Sequence, residues 1–203
     1  GFHRSSFYDD GSGFSGFGGF GGHGSAGFDQ KGQDLNASVS VTFDEAAFGC
    51  DKRITLQDQS GKAQTLEVHI PAGIDSGKSI RLRGKGMPGT GKGGAGDLLL
   101  KVTVQPKAGY ERKGMDVYTT VSIPYTTAVF GGEARVHTLY GDVMCKIKEG
   151  TQSGSKIRLR GKGIVSMKDA NVHGDQYVTV QIQVPRHLNA EARQKLMEYK
   201  EAC

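Results

Sequence analysis

Cysteine is scarce in this 203-residue chain: its three copies, at 50, 145 and 203, form no Cys-x-x-Cys pair and leave an odd number. Neither a disulfide framework nor a cysteine zinc site is signalled, which suits a reducing compartment. No apolar run approaches the roughly 18 residues of a membrane span, and no hydrophobic stretch of signal-peptide type opens the sequence. A cytoplasmic protein without a membrane partner is expected. Proline is also sparse, at five residues against 32 glycines. Without proline and a strict triplet period the glycine cannot signify collagen, and it is too abundant for a helical bundle. Ile, Leu, Val and Met are absent before Leu35.

That last absence divides the chain. Residues 1–28 hold 10 Gly and 6 of the 9 Phe, with no aliphatic side chains to offset the entropy of ordering the glycines. They read as a flexible tether whose spaced aromatics could serve as stickers for a groove elsewhere. From Leu35 onward the pattern changes to period two. Leu35 to Val41, Arg53 to Leu56, Thr65 to Ile70, Ser79 to Arg83, Leu98 to Val104, Val117 to Ile123, Lys156 to Arg160 and Gln176 to Val184 alternate as half-buried strands do. Gly, Pro, Asp or Ser bounds them. Phe43-Asp44-Glu45-Ala46-Ala47-Phe48-Gly49, with early acids and a glycine stop, reads as one short helical turn.

The strands are duplicated. Ser79-Ile80-Arg81-Leu82-Arg83-Gly84-Lys85-Gly86 recurs at Lys156 to Gly163 with seven identities in eight at an offset of 77. Gly96-Asp97 and Gly174-Asp175 each precede a strand, and at an offset of 82 Phe48-Gly49 with Arg53-Ile54 answers Phe130-Gly131 with Arg135-Val136. The fold predicted is mostly β: two tandem homologous β-sandwich-like subdomains with a short helical turn in each, a C-terminal amphipathic helix and a disordered Gly/Phe-rich N-terminus. The boundaries fall at 1–33 for the linker, 34–107 and 108–185 for the subdomains, and 186–203 for the helix. Asn189 is placed as its N-cap, with an apolar stripe at 188, 192, 196 and 199. So short a helix must bury that stripe against the second subdomain or against the same helix of another chain.

Sites of chemistry are missing. Gly86-Met87-Pro88-Gly89-Thr90-Gly91-Lys92-Gly93 nearly matches a phosphate-binding loop, but Gly93 replaces the Ser/Thr that would hold Mg²⁺ and a strand follows where a helix is required. The six His and the acids show no metal spacing; Asp169, His173 and Asp175 read as a polar loop. No Gly-x-Ser-x-Gly elbow occurs. No catalytic residue, cofactor or metal is expected. The Arg-x-Arg-Gly-Lys-Gly segments read as solvated strand faces, while the net charge of +5 leaves an anionic partner open.

Taken in order, the Phe/Gly-rich leader, the duplicated β-units and the terminal helix resemble a DnaJ-type co-chaperone. The similarity runs through Phe43 to Gly49, Leu66 to Gly77, Arg81 to Gly86, Gly96-Asp97-Leu98, Tyr110 to Val117 and Pro124 to Gly132. No His-Pro-Asp and no Cys-x-x-Cys-x-Gly-x-Gly unit occurs. The resemblance is therefore to the class B, curved-DNA-binding-protein-like branch, as a fragment beginning inside the Gly/Phe linker.

The resemblance implies a co-chaperone that holds unfolded client polypeptides in an apolar groove of the first subdomain for transfer to a DnaK-type chaperone. Val39, Val41, Ile54, Leu56, Leu100 and Val102 are the expected client-binding residues. Lys52 and Arg53 would meet the acidic C-terminal tail of DnaK, with Asp51 diluting that basic patch. Leu188, Leu196 and Tyr199 would form a homodimer. The alternative function is a DNA-binding architectural protein using its basic surface.

Overall fold

The computed structural model describes residues 29–57 and 63–203. The tether read over residues 1–28 lies outside them. The first copy of the repeat runs β1 (Leu35–Val41), α1 (Phe43–Phe48), β2 (Cys50–Gln57), β3 (Ala63–Ile70), β4 (Ser79–Leu82) and β5 (Leu98–Val104). In the second are β6 (Glu111–Lys113), β7 (Asp116–Pro124), α2 (Tyr125–Phe130), β8 (Gly132–Thr138), β9 (Gly141–Ile147), β10 (Lys156–Leu159) and β11 (Gln176–Gln183). The helix α3 (Ala190–Ala202) follows.

Each copy layers a larger sheet against a two-stranded hairpin. The first sheet has the order β1-β5-β4 and packs on β2-β3; the second has the order β10-β11-β7-β6 and is matched by β8-β9. β1 pairs parallel with β5 and β7 parallel with β11, so the duplication extends to strand direction. None of β6, β8 and β9 is among the strands that alternation marks, and β8 and α2 are legible only through the repeat offset. Its Tyr-Thr-Thr-Ala-Val-Phe sequence has no acid in the first turn and no side-chain cap. In α1, by contrast, Thr42 and Glu45 form a reciprocal capping box. Both short helices stop at a glycine with positive φ, Gly49 at 78° and Gly131 at 77°, a conformation costly for any other residue.

Period-two alternation places the cores. Val39 and Val41 of β1, Leu100 and Val102 of β5, Val68 and Ile70 of β3, and Ala46 and Ile74 form the first. Ile123, Ala134, Ile147 and Val180 anchor the second, beside a cluster of Val136, Cys145 and Val178. A further cluster spans the copies, with Phe43 and Ala47 of the first packed on Val117 and Ile164 of the second. Arg112 reinforces that junction. Its Nη1 donates to Ile74 O at 2.7 Å, its Nη2 donates to Gly73 O at 2.8 Å, and the same Nη2 pairs with Asp75 at 2.7 Å.

The Arg-x-Arg-Gly segments are corrected by the structure in one respect. Arg81 and Arg158 are tethered as well as solvated: Arg81 donates to the Asp97 carboxylate, whose Oδ1 also accepts Gly84 N at 2.8 Å. Arg158 and Gly161 N repeat the arrangement on Asp175. The two most conspicuous repeated motifs, Arg-x-Arg-Gly and Gly-Asp, are therefore halves of one network.

Candidate functional site

β1 is an edge strand of its sheet, because β5 covers only one side, and β2 has β3 on only one side. The link through α1 brings these two edges to the seam between sheet and hairpin. On β2, alternate residues Cys50, Lys52, Ile54 and Leu56 are half-buried while Asp51, Arg53, Thr55 and Gln57 are exposed. On β1, Ala37 is half-buried and Val39 is buried. Ile54 and Ala37 pack at the margin of the first core. The result is a shallow apolar seam bordered by strand edges, which can accept an extended chain through main-chain hydrogen bonds and alternate side-chain pockets.

The second copy carries the same elements in a closed form. At the 82-residue offset Lys52, Ile54 and Leu56 become Ala134, Val136 and Thr138, all buried. Gln176 Nε2 donates to His137 O at 2.9 Å, pinning β11 to β8, and β6 lies on the edge of β7 that in β1 is uncovered. The same alternation runs through both hairpins with different residues on the inward row, Lys-Ile-Leu against Ala-Val-Thr, and the second row also sinks deeper, which period alone does not report.

The expected client-binding residues divide accordingly. Ile54 and Leu56 lie together on the half-buried face of β2. Val41, Leu100 and Val102 are at most 1% exposed, enclosed by the β2-β3 hairpin and α1, and so offer no side-chain surface to a ligand. Val39 is buried with them and reaches the seam only as its floor. These four were expected as ligand contacts because alternation marks a face without saying what covers it. Ala37 belongs with the seam on geometry.

Lys52 and Arg53 also separate. Lys52 Nζ donates to Ser40 O at 2.8 Å and pairs with Glu45 Oε2 at 3.0 Å. The Glu45 carboxyl is held below its usual range, first by the main-chain N–H of Thr42 and then by Lys52. Arg53 is exposed opposite Glu67, and no ion pair of Arg53 is formed among the described residues. Asp51, its neighbour, is bonded to His69 Nδ1 at 2.7 Å.

No residue of α3 is buried, and Leu188, Leu196 and Tyr199 are all exposed by more than two-fifths. They border a cavity of about 1090 Å³ between α3 and the α2-β11 side of the second copy, with Tyr125, Phe130 and Val184 on its other wall. Tyr199 touches that wall through a hydroxyl contact to Tyr125 at 3.0 Å, which raises its pKa, as does Cys203.

Among the described residues no three His, Cys, Asp or Glu side chains converge as a metal site would require, and no helix is long and apolar enough to cross a membrane. Burial raises the Cys50 and Cys145 thiols above their ordinary pKa, which favours the thiol over the nucleophilic thiolate.

A duplicated β-sandwich with one open and one closed seam, ending in an exposed helix, defines a two-unit β module. The chain matches the family model for the DnaJ C terminal domain over residues 35–185 and belongs to that family. It is 45% identical over 139 residues to a protein named Chaperone protein DnaJ from Lachnospira eligens, covering 68% of this chain and 37% of that relative. A second Chaperone protein DnaJ, from Burkholderia pseudomallei strain 1710b, is 44% identical over 141 residues, 70% of this chain and 37% of the relative. The matched region thus spans little more than a third of those relatives.

Proposed function

We propose that this chain is the client-holding part of a DnaJ-type co-chaperone, gripping extended segments of unfolded polypeptide in the β1-β2 seam for transfer to a DnaK-type chaperone. One observation carries the reading: among the described residues no strand pairs with the outer edge of β1, and β2, tied to β1 by Lys52 Nζ on Ser40 O, carries a row in which Ile54 and Leu56 are half-buried. An extended segment would add main-chain bonds at the edge and place alternate apolar side chains on Ala37, Ile54 and Leu56. The role is binding, with no reaction catalysed. In the same reading the chain divides at 33/34, 107/108 and 185/186, with linker residues 29–33 already bonded to the loop between β4 and β5, the second unit spaces and supports the first, and cytoplasm is the setting.

Two partners follow. Arg53 is the cation offered to an acidic tail of the DnaK-type chaperone, since Lys52 is already engaged. A second copy of the chain supplies the cover for Leu188, Leu196 and Tyr199, giving a two-fold dimer that presents two seams to one long client and so gains avidity. The nucleic-acid reading loses ground because Arg81 and Arg158 are tied to Asp97 and Asp175.

The deciding experiment is binding of a fluorescent apolar peptide. Ile54→Asp and Leu56→Asp should each weaken it at least about tenfold, equivalent to ~1.4 kcal/mol. The control Leu100→Ala should cost about 2–5 kcal/mol of stability through its cavity. Undiminished affinity in both Asp variants overturns the seam assignment.

A further inference from the structure

The glycine-rich loop between β4 and β5 plays no part in the seam, and turn geometry accounts for few of its glycines. Of those from Gly84 to Gly96, only Gly84 and Gly91 have positive φ. Residues 29–34, immediately before β1, run between the two arms of this loop. From one arm Thr90 N donates to Gln30 O and Met87 N donates to Gln33 O, each at 2.9 Å. Toward the other arm Gly32 N donates to Gly94 O at 2.9 Å and Leu35 N to Asp97 O at 2.8 Å. Two carboxylates complete the contact: Asp29 Oδ1 accepts Lys92 N and Asp34 Oδ1 accepts Asp97 N, both at 2.7 Å.

Glycine lines this contact on both sides. A Cβ on Gly89 or Gly93 would fall inside 3.0 Å of Gln30 O; on Gly96 it would meet Gln33 O, and on Gly32 it would meet Met87 O. Main chain therefore lies directly on main chain, an approach only glycine permits.

We infer that residues 84–97 form a cradle for one extended segment of this same chain, Asp29–Asp34, and that the cradle fixes the point at which the Phe/Gly-rich leader leaves the first unit. The loop resembles a phosphate loop because both need glycine and forward-facing amides. Here the amides of Met87, Thr90 and Lys92 are committed to Gln33, Gln30 and Asp29. The strap continues without a break into β1 through the Leu35–Asp97 bond, so the cradle also sets where the seam's β1 edge begins. This second consequence rests on the seam reading; the anchoring does not.

Amide hydrogen exchange on the full chain tests it. In the unmodified protein the amides of Gly32, Met87, Thr90 and Lys92 should be protected. Gly93→Val should expel the strap and speed their exchange at least about tenfold, leaving Val102 and Val180 unchanged as reporters of the two cores. Gly94→Ala, where nothing lies within 4 Å of the added methyl, should retain protection. If Gly93→Val fails to fold, Asp29→Ala, which removes the acceptor of Lys92 N, should speed Lys92 and Thr90 selectively. Free exchange of these amides in the unmodified protein, or full protection in both Gly93→Val and Asp29→Ala, overturns the cradle. Peptide affinity followed in parallel keeps the two readings apart, since the exchange result does not depend on it.

Discussion

Lys52 on β2 donates its ammonium to the carbonyl oxygen of Ser40 on β1, 2.8 Å away, so the two edges of the first seam are laced together at one end. Glu45 holds the same ammonium from α1 at 3.0 Å. A lysine that looks available in sequence is therefore a structural tie across the site. Its removal should loosen the seam itself rather than a contact to an anionic ligand.

The two cations consequently predict different outcomes. Arg53→Ala should weaken binding of an acidic peptide by about 1.5- to 5-fold at low salt, as suits an exposed ion pair worth ~0.2–1 kcal/mol. The loss should vanish at high salt. Lys52→Met should instead lower the melting temperature. Titration of the acidic peptide at two ionic strengths, with thermal melts alongside, separates them; a salt-independent Arg53→Ala effect would contradict the tail contact.

Acid stability should be set by the duplicated aspartates. Gly84 N–H and then Arg81 pull the Asp97 carboxyl below its usual range, and Gly161 N–H and then Arg158 do the same to Asp175. A folded pKa below the unfolded value contributes stability that is full above the ordinary carboxylate range and is lost as pH falls through the folded value. The melting temperature should accordingly hold down to about pH 5 and drop below about pH 4. Asp97→Asn and Asp175→Asn should each start lower at neutral pH and show a shallower acid limb. An unchanged acid limb in both variants would refute the assignment.

Arg112 should couple the unfolding of the two units. Burial opposes the charge of its guanidinium while Asp75 favours it, and the two carbonyls it satisfies, Gly73 O and Ile74 O, belong to the other copy. Arg112→Ala should cost about 1–3 kcal/mol and broaden or split the calorimetric transition. Arg112→Lys should recover little, because an ammonium lacks the planar fork that meets two carbonyls and a carboxylate together. A single sharp transition in Arg112→Ala would place the coupling in the Phe43–Ile164 cluster instead.

The exposed face of α3 predicts self-association. Sedimentation at micromolar concentration should give a dimer, and Leu196→Asp a monomer with its β-units still folded. In the monomer, long unfolded clients should bind more weakly while short peptides are unaffected, as loss of avidity requires. A monomeric unmodified chain would remove the proposed partner of Leu188, Leu196 and Tyr199.

Much of this was legible in the residues. The repeat at offsets of 77 and 82 anticipated the paired sandwiches, and Asn189 caps α3 as its position suggested, its side chain accepting Ala192 N. Alternation correctly put Ala37, Val39 and Val41 on one face. It could not say that a hairpin closes over Val41, because cover comes from elements distant in sequence. The same limit hid the closing of the second seam, where Ala134 and Val136 sink while their counterparts Lys52 and Ile54 do not. Arg81 and Asp97 were each noticed, yet their union depends on β4 lying beside β5. The glycines of the β4-β5 loop looked like turn punctuation because their partner strand, residues 29–34, carries no periodic signal.

The three residues of β6 suggest a route to an inert relative of this module. They cap β7 through Glu111, Arg112 and Lys113 paired with Tyr118, Val117 and Asp116, whereas no strand among the described residues guards β1 in this way. Grafting a short antiparallel segment onto the outer margin of β1 would give a chain that keeps both β-units and α3 but has surrendered the strand edge that the proposed client would use. Such a self-capped decoy would separate the proposed holding of a client chain from any effect that does not need the β1 edge.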